Sequence, residues 1–253
     1  MTSDLLDPSS LFVTEEFSVV KARVAGKSTL VRGGAAGPEI YLKRITQRSW
    51  LKSLRGRFAG RAYRSSVSRE WLALNRLQEL GICAPRPLMM AEESRFGLVR
   101  RACLLTEALP QADNLEELVL AGLPSARKER IAIGVAEVLV RMHEGGINHR
   151  DFYLGHLRVD ADDRIQVLDL DRADLREPVP MRWRVKDLAA LDFSTPRRTV
   201  GVFERLRFLC RYARATSLDA RALAIAVTEK SSSIRAHAER KIARGDANIH
   251  INE

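Results

Sequence analysis

The chain has 253 residues, 45% of them hydrophobic and 29% charged, and its 42 Lys and Arg against 32 Asp and Glu give a formal net charge of +10. This composition excludes a disordered or fibrous chain and leaves room for one large core or two lobes, and no apolar run is long enough to span a bilayer. Cys83, Cys103 and Cys210 are far apart, without CxxC spacing, and odd in number, which fits free thiols in a reducing compartment better than a disulfide framework or a zinc site. The leading MTSDLLDPSS has neither basic residues nor an apolar core, so a cytoplasmic location is expected.

Residues 1–12 read as a loose terminus. FSVVKARV (17–24) and STLVR (28–32) predict two strands about a turn at Ala25-Gly26-Lys27, and EIYLKRI (39–45) predicts a third. From Lys43 to Arg69 nine Lys and Arg meet no Asp or Glu, with Trp50, Leu51, Leu54, Phe58 and Tyr63 among them. Such a run is either a solvated positive surface or a contact for a polyanion, and its apolar residues suit it to a membrane interface. VSREWLALNRLQEL (67–80) puts Val67, Trp71, Leu74 and Leu77 on one helical face, with Ser66 as cap and Gly81 as stop.

APRPLMMAEE and ACLLTEA predict two more strands, the second (102–108) apolar enough to be central, and Asn114 or Leu115 opens a short helix. PSARKERIAIGVAEVLVRMHEGG (124–146) is the strongest helix. Ser125 is its expected cap, Ile131, Val135, Val138 and Met142 its buried face, and His143 a helix-end residue favoured by the C-terminal dipole. Helices follow near 183–193, 197–214 and 217–244. A β-rich half with one embedded helix thus precedes a mostly helical half, with domains expected at 1–107 and 108–253.

The stretch NHRDFYLGHLRVDADDRIQVLDLDRA (148–173) concentrates carboxylates in a basic chain. Asp160, Asp162 and Asp163 lack the glycine and terminal glutamate of a calcium loop, so a hairpin turn with solvated acids is expected there. Asp151 opens a loop after the long helix, and Asp169 ends an apolar strand 18 residues on. A hairpin between them brings both carboxylates to one end of a sheet. One can then take the proton of an attacking hydroxyl while the other holds magnesium, the division of labour that phosphoryl transfer needs.

His149-Arg150-Asp151 resembles the HRD catalytic loop of protein kinase-like enzymes, and Val167-Leu168-Asp169 the strand entering DFG. Tyr41-Leu42-Lys43 resembles the lysine-bearing third strand, Glu70 the glutamate of the following helix, and Leu105-Thr106-Glu107-Ala108 the hinge. A lone strand lysine or helix glutamate is ordinarily a solvated surface residue; the ordered set is what gives these two meaning. NHRDFYLGHL, LDLDRA and RWRVKDLAALDFS, with YLKR, REW and RMHEGGINHRD, are similar to the lipopolysaccharide core heptose kinases, the WaaP/Kdo kinase group of the protein kinase-like superfamily. The likeness runs over about residues 17–195.

That resemblance implies an α+β, two-lobed protein kinase-like fold, with a small β-rich N-lobe holding one helix and a mostly α C-lobe. It implies ATP and Mg2+ as cofactors and phosphorylation of a sugar hydroxyl, that of a heptose, on the lipopolysaccharide inner core at the cytoplasmic membrane face. Lys43, oriented by Glu70, meets the ATP phosphates, with Gly26 in the phosphate-covering turn. Thr106 and the main chain from Glu107 to Leu109 face the adenine. Asp151 is the catalytic base and Asp169 the magnesium ligand, with His156 and Asp171 as further candidates. His149 packs beneath the metal-binding strand, and Asp187 braces the catalytic loop. The implied partners are the lipid A–core glycolipid, an anionic membrane surface and an acyl carrier protein. Nucleic acid is not among them, since no reading motif or aromatic platform is present.

Three departures qualify the pattern. The phosphate-covering turn has only Gly26, and GKST there has neither the upstream glycine nor the following helix of a Walker A motif. His156 stands where an asparagine is expected, and imidazole suits magnesium less well than oxygen. Asp169 and Asp187 are 18 residues apart, too close for a peptide-docking segment, which favours a small or glycolipid acceptor over a protein. The alternatives are a non-catalytic pseudokinase binding nucleotide or lipid, or a kinase of another core sugar (a second heptose or Kdo) or of protein.

Overall fold

The computed structural model describes residues 18–23, 27–34, 37–46, 65–95 and 98–244. Gly26, the basic run between residues 47 and 64 and the two tails lie outside these, and so do the expectations attached to them. Contacts group the chain into two units, Met1–Asn75 with Pro85–Leu109, and Arg76–Ala84 with Pro110–Glu253.

The first unit carries a five-stranded antiparallel sheet in the order β1-β2-β3-β5-β4. Its strands are β1 (Ser18–Arg23), β2 (Lys27–Gly34), β3 (Gly37–Thr46), β4 (Arg86–Arg95) and β5 (Leu98–Glu107). The period-2 alternation of β3 explains its central place. Ile40 and Leu42 share one face with Met89, Ala91, Cys103 and Leu105 as an apolar cluster. Lys43, one residue on from Leu42, belongs to the opposite face together with its cross-strand neighbour Leu104.

Helix α1 (Ser66–Glu79) follows β3 in the described chain, and the division between the units falls within it, after Asn75. Its cap is one residue earlier than expected: Ser65 Oγ accepts from Ser68 N at 3.0 Å and also bonds Glu92. Val67, Leu74 and Leu77 are buried, while Trp71 is half-buried.

In the second unit α2 (Leu115–Ala121) is capped by Asn114, whose side-chain oxygen accepts from the amides of Glu116 and Glu117. Helix α3 (Ser125–Glu144) buries Ile131, Val135, Val138, Leu139, Met142 and His143 along one stripe. Its cap position is occupied by Pro124 and no side chain closes it, so Ser125 is the first helical residue and not the expected cap. The fixed φ of proline prepares the start of the helix in place of a hydroxyl.

Gly146, at φ +83°, turns the chain out of α3 straight into β7 (Ile147–Asn148); a Cβ there would lie 2.6 Å from Glu177 Cγ. β7 pairs with β10 (Asp174–Leu175). A second small sheet has the order β6-β8-β9, from β6 (Asp113–Asn114), β8 (Leu157–Val159) and β9 (Ile165–Val167). Helices α4 (Met181–Ser194), α5 (Val202–Ala215) and α6 (Ala220–Ala243) complete the unit, α6 packing on both α4 and α5 and α5 on α3.

Candidate active site

In the first unit, sheet register places Lys43 between Thr29 of β2 and Leu104 of β5. Its ammonium lies 2.6 Å from Glu70 Oε2 on α1, with the two side chains only 19% and 11% exposed. A charge-assisted bond so far removed from water holds the lysine head in one place. At the end of β5, Thr106 sits opposite Tyr41 and Pro87, and Glu107 opposite Ile40 and Arg86. The amide of Ala108 donates to Glu39 O at 2.7 Å, so that donor is committed to the sheet.

In the second unit the loop after β7 is organised by one carboxylate. Asp187, fully buried on α4, accepts from His149 N at 2.8 Å through Oδ2 and from Arg150 N at 2.7 Å through Oδ1. Its Oδ2 also lies 3.2 Å from His143 Nε2, and His143 Nδ1 lies 2.6 Å from the Tyr212 hydroxyl on α5. One tautomer serves both contacts, with Nε2–H donating to Asp187 and Nδ1 accepting from Tyr212. Burial pushes the Tyr212 phenol up to about 12, so its proton stays in place for that bond. His143 is in the last turn of α3, as expected from sequence, and is buried there between Asp187 and Tyr212.

Arg150 and Asp169 both adopt left-handed backbone, at φ 71° and 55°. For a non-glycine residue this costs roughly 1–2 kcal/mol, and it persists where the surroundings over-determine it. At Arg150 that determination is the grip of Asp187 on two successive amides.

His149 Nε2–H donates to Leu168 O at 2.9 Å, just before Asp169, and its ring meets Phe152 edge-on at 5.6 Å. Burial pushes its imidazole below the ordinary value, so it is held neutral. Stacked on it at 6.0 Å is His156, which lies in the 3-10 turn Leu154–His156. His156 Nδ1–H donates to Asp151 O at 2.8 Å, and its Nε2 lies 3.6 Å from Asp169 Oδ2. Asp151 Oδ1 accepts from Arg172 at 2.9 Å, while Asp171 is half-buried in the 3-10 turn Leu170–Arg172. The hairpin thus gathers Asp151, His156 and Asp169 around one imidazole.

Among the described residues no three His, Cys, Asp or Glu side chains converge as a metal cage. The donor set does fit magnesium, which keeps waters and phosphate oxygens and asks the protein for one or two carboxylates. The Asp169 carboxylate, on its left-handed turn, would supply that oxygen, while the neighbouring imidazole of His156 is the poorer donor for a hard ion.

The acidic turn differs in part from its expected role. Asp160 Oδ1 accepts from the amides of Asp162 and Arg164 and closes the turn, as a hairpin requires. Asp163 is not solvent decoration. It lies 2.8 Å from both Arg127 and Arg130 on α3 and is 14% exposed, and those guanidinium bonds hold its carboxyl below the usual range. Arg172 and His143 lie within LDLDRA and RMHEGGINHRD, but those motifs assign them no contact with Asp151 or Asp187, and Tyr212 lies in no such motif.

The family model described as the lipopolysaccharide kinase (Kdo/WaaP) family matches residues 18–212. The lipopolysaccharide core heptose(I) kinase WaaP of Escherichia coli K12 is 32% identical over 191 residues, 69% of this chain and 72% of that protein. Its counterpart in Pseudomonas aeruginosa PAO1 is 35% identical over 156 residues, 57% and 58% of the two chains. The 3-deoxy-D-manno-octulosonic acid kinase of Vibrio cholerae is 26% identical over 125 residues, about half of each chain (49% and 51%). A solved structure, WaaP in complex with acyl carrier protein, matches with a TM-score of 0.72 at 27% identity, over 90% of this chain and 92% of that one. The expected α+β kinase-like fold is borne out by that likeness.

Proposed function

The chain belongs to the lipopolysaccharide kinase (Kdo/WaaP) family of phosphotransferases, and from that premise we propose that it uses ATP and magnesium to phosphorylate a heptose hydroxyl of the lipopolysaccharide inner core at the cytoplasmic membrane face. The observation that carries this reading is the single imidazole of His156, which holds the Asp151 main chain with one nitrogen and faces Asp169 with the other.

Asp151 takes the proton of the acceptor hydroxyl as that oxygen bonds to the γ-phosphorus, and the bond from phosphorus to ADP breaks with its electron pair leaving on ADP. Arg172 fixes one carboxylate oxygen, so the proton goes to the other. Asp169 and His156 hold magnesium, with Asp171 beyond them; the ion supplies charge neutralisation. Lys43, kept in place by Glu70, meets the ATP phosphates. With the Ala108 amide committed to the sheet, the adenine falls to main-chain groups of Glu107 and Leu109 beside Thr106. Asp187 and His149 keep the loop in shape. The basic run between residues 43 and 69 and the basic end of α6 meet anionic headgroups and the lipid A–core glycolipid, and an acyl carrier protein is a partner by analogy with the WaaP complex.

Asp151→Ala and Asp169→Ala should each lower ATP-dependent transfer to purified core glycolipid by at least about 1,000-fold while circular dichroism shows a folded protein. Wild-type turnover in either variant sinks the assignment. ATP binding without turnover in the parent protein makes it a pseudokinase. Mass spectrometry of core oligosaccharide from a deletion strain names the sugar, because the missing phosphate marks its position.

A further inference from the structure

Four cations gather on one indole. The guanidinium carbons of Arg150, Arg176 and Arg182 lie 5.0, 5.3 and 5.6 Å from the Trp183 ring centroid, and the Lys186 ammonium lies 5.6 Å from it. A tryptophan face attracts each cation singly but does nothing to relieve the repulsion among several. Arg176 is neutralised by Asp174 at 2.5 Å. Arg182 and Lys186 form no ion pair among the described residues. The half-buried ammonium of Lys186 is pushed below its ordinary pKa by burial first and by the Arg172 charge second, with the Asp151 and Asp187 carboxylates offsetting part of that.

The cluster borders the catalytic loop, since Arg150 precedes Asp151 in the chain and Arg172 bonds the Asp151 carboxylate. Kinase-like folds can neutralise such arginines with a phosphate placed on their own activation segment. That solution is excluded here, because the chain from Leu154 to Phe193 contains no Ser, Thr or Tyr. Among the described residues no carboxylate pairs with Arg182 or Lys186, and an anion carried by a ligand would answer that charge.

We propose that Arg150, Arg182, Lys186 and Trp183 form an acceptor-recognition site for an anionic group, a carboxylate or a phosphate, carried by the saccharide whose hydroxyl is presented to Asp151. The half-buried indole offers an apolar surface to a sugar ring while the cations hold its charge. The inference rests on the kinase reading above and adds the chemistry that selects the acceptor.

The test is the variant Arg182→Ala/Lys186→Ala, assayed with intact acceptor glycolipid, with acceptor whose carboxylates are reduced, and with acceptor whose phosphates are removed. The double variant should raise KM for intact acceptor about tenfold or more, with KM for ATP and acceptor-free ATP hydrolysis unchanged. The parent protein should lose a similar factor on one modified acceptor, which identifies the anion, and the variant should lose nothing more on that same acceptor. Equal sensitivity of both proteins to each modification, or a raised KM for ATP in place of acceptor, overturns the proposal.

A second measurement separates its failure from that of the kinase reading. In a Trp50→Phe/Trp71→Phe background, Trp183 fluorescence is titrated with a free sugar acid and with inorganic phosphate. A saturable change that the double variant abolishes sustains the site even if no glycolipid is phosphorylated. No saturable change in the parent overturns it.

Discussion

At the scale of single residues, Asp187 is the point on which the second unit's chemistry turns. It is buried, charged and bonded to two loop amides and a histidine, so its value lies in position more than in net stability. Asp187→Asn keeps the size but replaces one acceptor with a donor that faces an N–H. The expected result is a 10- to 100-fold fall in kcat, about the worth of one or two bonds to a charged group, with a smaller change in KM for ATP; steady-state kinetics decide it. Tyr212→Phe removes only the hydroxyl that satisfies His143. It should cost about 1–2 kcal/mol of stability, read by urea denaturation, and leave kcat close to the parent value.

His149 gives a pH signature. Burial holds its folded-state pKa below the ordinary 6.5. The unfolded chain therefore binds a proton near that pH that the folded chain refuses. The stabilising contribution is full above pH 6.5 and drains away as pH falls below it. Thermal melts from neutral to acidic pH should show this decline, and His149→Gln, which keeps a donor for Leu168 O, should flatten it.

At the scale of elements, the hairpin from β8 to β9 is fastened to α3 by Asp163. Because Arg127 and Arg130 hold that carboxyl below its usual range, the fastening is present above about pH 4 and is lost as pH falls further. Asp163→Asn should lower the melting temperature at neutral pH, with the gap to the parent closing under acid. Gly146→Ala puts a Cβ against Glu177 at a left-handed position, and should destabilise by roughly 1–2 kcal/mol or more, measured by the same melts. Element boundaries show why parts of the sequence were hard to read. Helices α3 and α4 begin behind Pro124 and Pro180 with no capping side chain, so a search for hydroxyl caps picked Ser125 one residue late. The helix faces, the β8–β9 hairpin and the order of the elements were legible, because they follow from apolar periodicity and turn chemistry.

At the scale of the whole molecule, the family was legible because phosphoryl transfer ties a few residue types to fixed places along the chain. The relay from Tyr212 through His143 to Asp187 was not, since it joins three helices whose partners only folding brings together. The same holds for Arg172 on Asp151 and for the cations around Trp183. The net charge of +10 gives a molecule-wide prediction. The protein should cosediment with vesicles containing anionic lipid, and the bound fraction should fall several-fold between about 0.05 M and 0.5 M salt as screening shortens the reach of each charge. Salt-independent binding would place the attraction in apolar contacts.

The segment between Asp169 and Asp187 is not a loose strap. It is pinned to β7 through β10, and Arg176 N donates to Gly146 O at 2.7 Å. Built into the sheet and devoid of hydroxyl side chains, it offers an upstream signalling enzyme nothing to modify and no swinging part to lock. A phosphate on this segment cannot be the switch, and phosphatase treatment of the purified protein should leave its specific activity unchanged.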